Sequence, residues 1–113
     1  MHEMSLAESM LQIIEDAART QGFARVKAVH LEIGQLACVE LAAMRFCFDA
    51  VVKDTLADGA HLVIVETAGW GRCESCAHEM VLAALYEACA NCGSHEIRVM
   101  AGDAMRVQEL EVE

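Results

Sequence analysis

Two Cys-x-x-Cys pairs, Cys73-Glu74-Ser75-Cys76 and Cys89-Ala90-Asn91-Cys92, constrain this chain more than any other feature. Twelve residues separate the pairs, and Gly93 follows the second. Each pair fits a tight turn, and the stretch between them suffices for a short hairpin or loop. Four thiolates so spaced can close a tetrahedron around one metal ion. The spacing points to structural zinc, with iron in a rubredoxin-like site as the competing occupant and a pair of disulfides as the third reading.

The compartment decides against disulfides. Met1-His2-Glu3-Met4-Ser5 has no basic region and no apolar stretch of the kind that opens a signal peptide. No run approaches the ~18 apolar residues of a membrane span. The expectation is a soluble, cytoplasmic chain with no membrane partner, and paired cysteines in a reducing compartment bind metal more often than they cross-link. Cys38 and Cys47 lie outside the quartet in apolar surroundings and read as small buried hydrophobes.

At 113 residues the chain suits one domain, or one domain with a small metal-stapled module. Lys and Arg number 8 against 18 Asp and Glu, for a formal charge of −10, and a loaded four-thiolate site is itself a dianion. A phosphate backbone is bound largely through Lys and Arg, so nucleic acid is excluded as a partner and basic proteins or metal cations are favoured.

Taken in order, Ser5 and Glu8 form a capping box, and Leu6, Met10, Ile13, Ile14 and Ala17 recur at helical spacing, with Gly22 as the stop. A helix is predicted over residues 5–21, leaving the first four residues as a short arm. Residues 25–34 read as a strand, with Val29, Leu31 and Ile33 facing the core. Residues 40–52 read as a second helix without a good cap. Residues 61–67 read as a strand whose Leu62-Val63-Ile64-Val65 run suggests a central position covered on both faces.

Gly69-Trp70-Gly71 changes the texture and marks entry into the metal module. The predicted architecture is α+β: a small two-helix domain on a three-stranded sheet, with an inserted zinc-ribbon-like module. Residues 1–68 form the first part of the α/β domain, 69–95 the module, and 96–113 the return strands that complete the domain. A module of this size cannot build its own core and depends on its metal to fold.

The N-terminus is a second candidate site. The α-amine of Met1, the His2 amide nitrogen and the His2 imidazole can form adjacent chelate rings on one ion, and Glu3 adds a carboxylate or a further amide nitrogen. Nitrogen-rich planar donor sets suit Ni²⁺ or Cu²⁺ better than Zn²⁺ or Mg²⁺. A solvated terminal side chain is the plainer reading of His2. His78 and His95 follow Cys76 and Cys92 closely enough to replace a thiolate or tune the site from outside it. Exposed module histidines are the plainer reading there, as sheet-face histidines are for His30 and His61. No phosphate-binding loop, nucleophile elbow or other catalytic motif is present, and a zinc site filled by four cysteines has no open position to activate water. The sequence reads as a binding protein, not an enzyme.

Three segments together resemble a known family. Met1-His2-Glu3-Met4-Ser5-Leu6, then Val29-His30-Leu31-Glu32-Ile33-Gly34-Gln35-Leu36, then the cysteine quartet with Gly93 are similar to the HypA/HybF nickel metallochaperones of NiFe-hydrogenase maturation. The likeness runs in order along the whole chain. It implies a small nickel-binding α/β domain and a zinc-ribbon-like domain. Met1 through its amine, His2 and Glu3 would carry Ni(II) weakly as cargo. Cys73, Cys76, Cys89 and Cys92 would hold Zn(II). The implied partners are the GTPase accessory protein HypB, the hydrogenase large subunit and, for some members, urease maturation proteins. His78 and His95 are the nearest equivalents of histidines that affect the zinc site in some members, His95 standing offset from the expected position. The competing reading is a zinc-ribbon protein-interaction module without metal cargo.

Overall fold

The computed structural model of the chain describes residues 2–113; Met1, offered above as a nickel donor, lies outside them. Helix α1 spans Glu3–Gln21 and begins earlier than the predicted Ser5 cap. Its N-cap is His2, extended at φ −115° and ψ 161°, with no side-chain cap bond. Ser5 lies inside the first turn, so the capping box and the four-residue arm are both corrected. The helix can start early because the Leu6 amide already reaches the His2 carbonyl at 3.4 Å, and because Glu3 in the first turn complements the positive end of the helix dipole. Ala7, Met10 and Ile14 form the buried stripe. Gly22 ends the helix in the left-handed region at φ 78°, its amide on the Ala18 carbonyl.

Helix α2 spans Leu41–Val52 and packs on α1 through Met44, Phe48 and Val52. It is capped after all. The Glu40 carboxylate accepts hydrogen bonds from the amides of Ala42 and Ala43 at 3.3 and 2.6 Å. Glutamate is not among the preferred N-cap residues, so a short polar side chain was the wrong thing to look for.

Six strands complete the chain: β1 (Val26–Gly34), β2 (His61–Thr67), β3 (Gly69–Cys73), β4 (Glu79–Leu82), β5 (Ile97–Ala101) and β6 (Met105–Val112). They form two three-stranded sheets, ordered β2-β1-β6 and β4-β3-β5. The architecture is the expected α+β arrangement of two helices, a three-stranded sheet and a cysteine-bearing module. The central strand is not the expected one. β1 is central, and Val26, Ala28, Val29, Leu31 and Ile33 are all buried, so both its faces are covered. β2 is an edge strand, with Val63 and Val65 exposed and Leu62 buried. An apolar run reports what a strand's side chains tolerate; its place in the sheet is fixed by backbone pairing with distant segments, here by β6 closing against β1. β6 therefore makes the return to the first sheet, while β5 pairs with β3.

The chain divides into two compact units. One comprises Met1–Leu31, Val39–Ile64 and Val107–Glu113, the other Glu32–Cys38 and Val65–Arg106. Within the second unit Gly34 and Gly102 are set by close approach. A Cβ on Gly34 would collide with the Gly102 backbone, and one on Gly102 would lie 2.5 Å from both the Ala68 carbonyl oxygen and the Gly69 Cα. Two hydrogen bonds lock this contact: the Gly34 amide on the Ala104 carbonyl at 2.8 Å, and the Leu36 amide on the Gly102 carbonyl at 2.7 Å. Gly102 also sits at φ 88°, where side chains are disfavoured. Gly102→Ala is therefore expected to lower the unfolding free energy by about 3 kcal/mol, combining left-handed strain with overpacking against backbone. Urea unfolding followed by circular dichroism measures it.

Candidate metal centre

The second sheet and the turns that leave it bring four sulfurs together. Cys73 ends β3, and Cys76 lies on the turn that follows. Cys89 and Cys92 lie on the turn before β5. The two turns repeat one hydrogen-bond scheme. The Cys73 carbonyl accepts from the Ala77 amide at 2.9 Å, and the Cys89 carbonyl from the Gly93 amide at 2.9 Å. The Cys73 amide donates to the His78 carbonyl at 2.8 Å, and the Cys89 amide to the Ser94 carbonyl at 2.7 Å. Both turns also need a left-handed residue at the same place, supplied by Ala77 at φ 67° and Gly93 at φ 78°. The second turn gives that place to glycine, whereas the first forces alanine into it. A Ser75 to Ser94 hydroxyl bond at 3.1 Å and the Glu74 amide on the Glu96 carbonyl at 2.9 Å tie the turns together.

All four sulfurs lie within 4.8 Å of one another, with Cys73 to Cys92 at 3.6 Å and Cys76 to Cys89 at 3.7 Å. A tetrahedral zinc with bonds of about 2.3 Å sets its sulfurs about 3.8 Å apart, so the cluster fits such an ion. Cys73 and Cys89 are buried, and Cys76 and Cys92 exposed. Neither His78 nor His95 joins the group; both are exposed. His78 contributes through its backbone, whose carbonyl accepts from Cys73 and whose amide bonds the Cys76 sulfur.

The electrostatics call for a cation. The Asn91 side-chain amide, 3.4 Å from the Cys76 sulfur, and the His78 amide hold the Cys76 thiol down to about 6. The Cys76 and Ser75 amides likewise lower Cys73. The Ser94 amide pulls Cys92 down, but its sulfur neighbours Cys73 and Cys76 outweigh it and push that thiol up to about 12. Like charges so close cannot all ionise on their own, and a divalent ion bound among them would supply the missing charge. Asn91 was not singled out in the sequence. Its signal is an amide inside a Cys-x-x-Cys turn, where its backbone N–H bonds Cys89 and its side chain bonds Cys76.

The N-terminal candidates meet in part. His2 is exposed, and its Nε2 lies 3.5 Å from the Ser5 hydroxyl. The Glu3 carboxylate accepts from the Glu40 amide at 3.5 Å, so one nickel-donor candidate is tied to the start of α2. His30 bonds Glu111 at 2.6 Å, and His61 is exposed on β2. The two remaining cysteines are not buried: Cys38 is exposed, at φ 58° with its thiol on the Leu36 carbonyl, and Cys47 is intermediate. The left-handed turn that ends a single helical turn over Gln35–Ala37 swings Cys38 outward despite its apolar neighbours.

Residues 1–112 match the family model HypA, described as hydrogenase/urease nickel incorporation, metallochaperone. The chain is 53% identical to a hydrogenase maturation factor HypA from Albidiferax ferrireducens and 50% identical to one from Azotobacter vinelandii, over 100% of both chains in each case. It resembles the solution structure of the Ni metallochaperone HypA from Helicobacter pylori at a TM-score of 0.75 and 26% identity, covering 99% of this chain and 97% of that one.

Two outcomes are expected at this centre. Gly93→Ala should destabilise the metal-loaded protein and Ala77→Gly stabilise it, each by about 0.5–1 kcal/mol, the left-handed strain being partly offset by unfolded-state entropy. Thermal unfolding of the two variants measures both. Protons compete with metal for sulfur, so a thiol held low keeps its metal to lower pH. Asn91→Ala removes the main cause of the low Cys76 value and should release metal at a higher pH than the native chain, read with a chromogenic chelator across a pH series.

Proposed function

The chain belongs to the HypA family, nickel metallochaperones of hydrogenase maturation and not enzymes, and from that premise we propose that it binds one Ni(II) at its N-terminus and hands it on. The Met1 amine, the His2 amide nitrogen and imidazole, and Glu3 are the donors we assign. The observation that carries this reading is His2 itself, exposed at the N-cap of α1 with Glu3 beside it in the first turn. An exposed chelate can be reached and stripped by an acceptor. The positive end of α1 also opposes a cation there, which favours loose holding. In this reading Cys73, Cys76, Cys89 and Cys92 hold structural Zn(II), with Asn91 and the His78 backbone steadying the sulfurs. His78 and His95 side chains are assigned no ligand role in the folded, loaded protein.

In this reading the α/β part of the chain, residues 1–68 with 96–113, is the carrier, and the cysteine module of residues 69–95 holds shape. We assign the GTPase accessory protein HypB as a working partner and the hydrogenase large subunit as the acceptor, with urease maturation proteins as further candidates. A reducing cytoplasm suits the open thiols of the quartet. Among the described residues no helix is long and apolar enough to cross a membrane.

Titration of the zinc-loaded, untagged protein with Ni²⁺ by calorimetry tests this reading. The native chain is expected to bind one ion. His2→Ala is expected to weaken binding at least about a hundredfold, because it removes the imidazole that closes one chelate ring. Equal binding by both would move nickel away from the N-terminus.

A further inference from the structure

The sheet β4-β3-β5 has two unlike faces. Cys73 and Leu82 are buried on one, with Gly71 closed in against Leu82 and Ile97. The other is set by register. Trp70 stands opposite Val81 on β4 and Arg72 opposite Glu79. On β5, Arg72 stands opposite Arg98, and an irregularity between Trp70 and Gly71 lets Trp70 face Ala101 across a strand that has slipped past Met100. A bulge of this kind places two residues against one and re-aims their side chains. Trp70, Val81 and Met100 are 38%, 58% and 46% exposed.

The charges on this face are unusual for the chain. Two arginines directly opposite each other on neighbouring strands repel, and among the described residues neither pairs with a carboxylate. Arg19, Arg25, Arg45 and Arg106 all have bonded partners. Glu79 is turned to the tryptophan, accepting from Trp70 Nε1 at 3.3 Å. Glu74 lines the same hollow as Arg72 and Arg98 without bridging to either. Solvent-facing tryptophan, methionine and arginine are the side chains most enriched where proteins meet.

We propose that this face docks an acidic protein segment, whose apolar side chains cover Trp70, Val81 and Met100 and whose carboxylate bridges Arg72 and Arg98. A planar carboxylate accepts two N–H bonds from each guanidinium it meets, and set between two of them it removes their mutual repulsion. The apolar trio distinguishes such a segment from a polyphosphate strand, which brings charge without aliphatic side chains; the overall charge of −10 opposes both alike, so local attraction to Arg72 and Arg98 and apolar burial must carry the docking. This inference goes beyond the nickel reading and does not require it.

Trp70 is the chain's single tryptophan, so its emission reports the face directly. The full zinc-loaded protein is titrated with a short synthetic peptide alternating Glu and Leu, beside its Lys and Leu counterpart, a Ser and Glu peptide, and oligothymidylate. The expected result is a saturable blue shift with the Glu and Leu peptide. It should weaken by roughly tenfold or more in Arg72→Gln/Arg98→Gln and in Met100→Ser, with zinc content and the calorimetric nickel stoichiometry unchanged in both variants. No shift, an equal shift with the Lys and Leu peptide, or a stronger response to oligothymidylate overturns the proposal. So does a shift that appears on concentrating the protein alone, which would put a second copy on this face. Because nickel is counted separately on the same samples, failure here leaves the carrier reading standing, and failure of the carrier reading leaves this one standing.

Discussion

Repulsion among four sulfurs, and the cation that cancels it, is the interaction on which the second unit depends. Its sheet is short, and few of its side chains are deeply buried: Ile33, Leu36, Leu82, Cys73 and Cys89. Two of those five are metal ligands by geometry, so the ion would supply part of what a larger core supplies by apolar burial. The turns are built to present sulfur in advance. Each folds its own amides back on its cysteine carbonyl and points spare N–H groups at the thiolates, an arrangement that lowers two thiols and leaves one high. One ion restores the balance.

The first unit rests on different physics. Two amphipathic helices and the central strand β1 bury Met10, Ile14, Leu31, Met44 and Phe48, with no buried charge among the described residues. Its polar contacts lie at the rim: Glu40 capping its own helix, Arg45 on the Leu62 carbonyl at 2.6 Å, His30 on Glu111. Glu3 belongs to that rim, and its bond to the Glu40 amide couples the first turn of α1 to the start of α2.

Much of this is legible in the sequence alone. The cysteine spacing predicted a single cluster, and the helical stripe predicted Met10 and Ile14 at the core. Gly22 predicted the end of α1. What was not legible turned on competition between local options. Ser5 is the better cap by residue type, yet His2 takes the position because the helix gains a turn by starting earlier. Leu62-Val63-Ile64-Val65 reads as central, yet β2 is an edge, because strand order is settled by which distant segment pairs with β1. Cys38 has apolar neighbours, yet one left-handed residue turns it to solvent. Asn91 was silent because its role exists only once two turns, far apart in sequence, face each other. At the quartet the likeness to a family and the bare spacing of cysteines pointed the same way; at Asn91 and Ala77 only the geometry spoke.

The division of the chain into units is not a division of the sequence into halves. Residues 32–38 belong to the cysteine-bearing unit although they precede α2, and Val107–Glu113 belong to the helical unit although they follow the cysteines. Each of β1, β2 and β6 begins in one unit and ends in the other. Neither unit can therefore be cut out as one continuous stretch of sequence. Loss of the last seven residues, Val107–Glu113, would strip the helical unit of its share of β6 while every segment of the cysteine-bearing unit stayed in place.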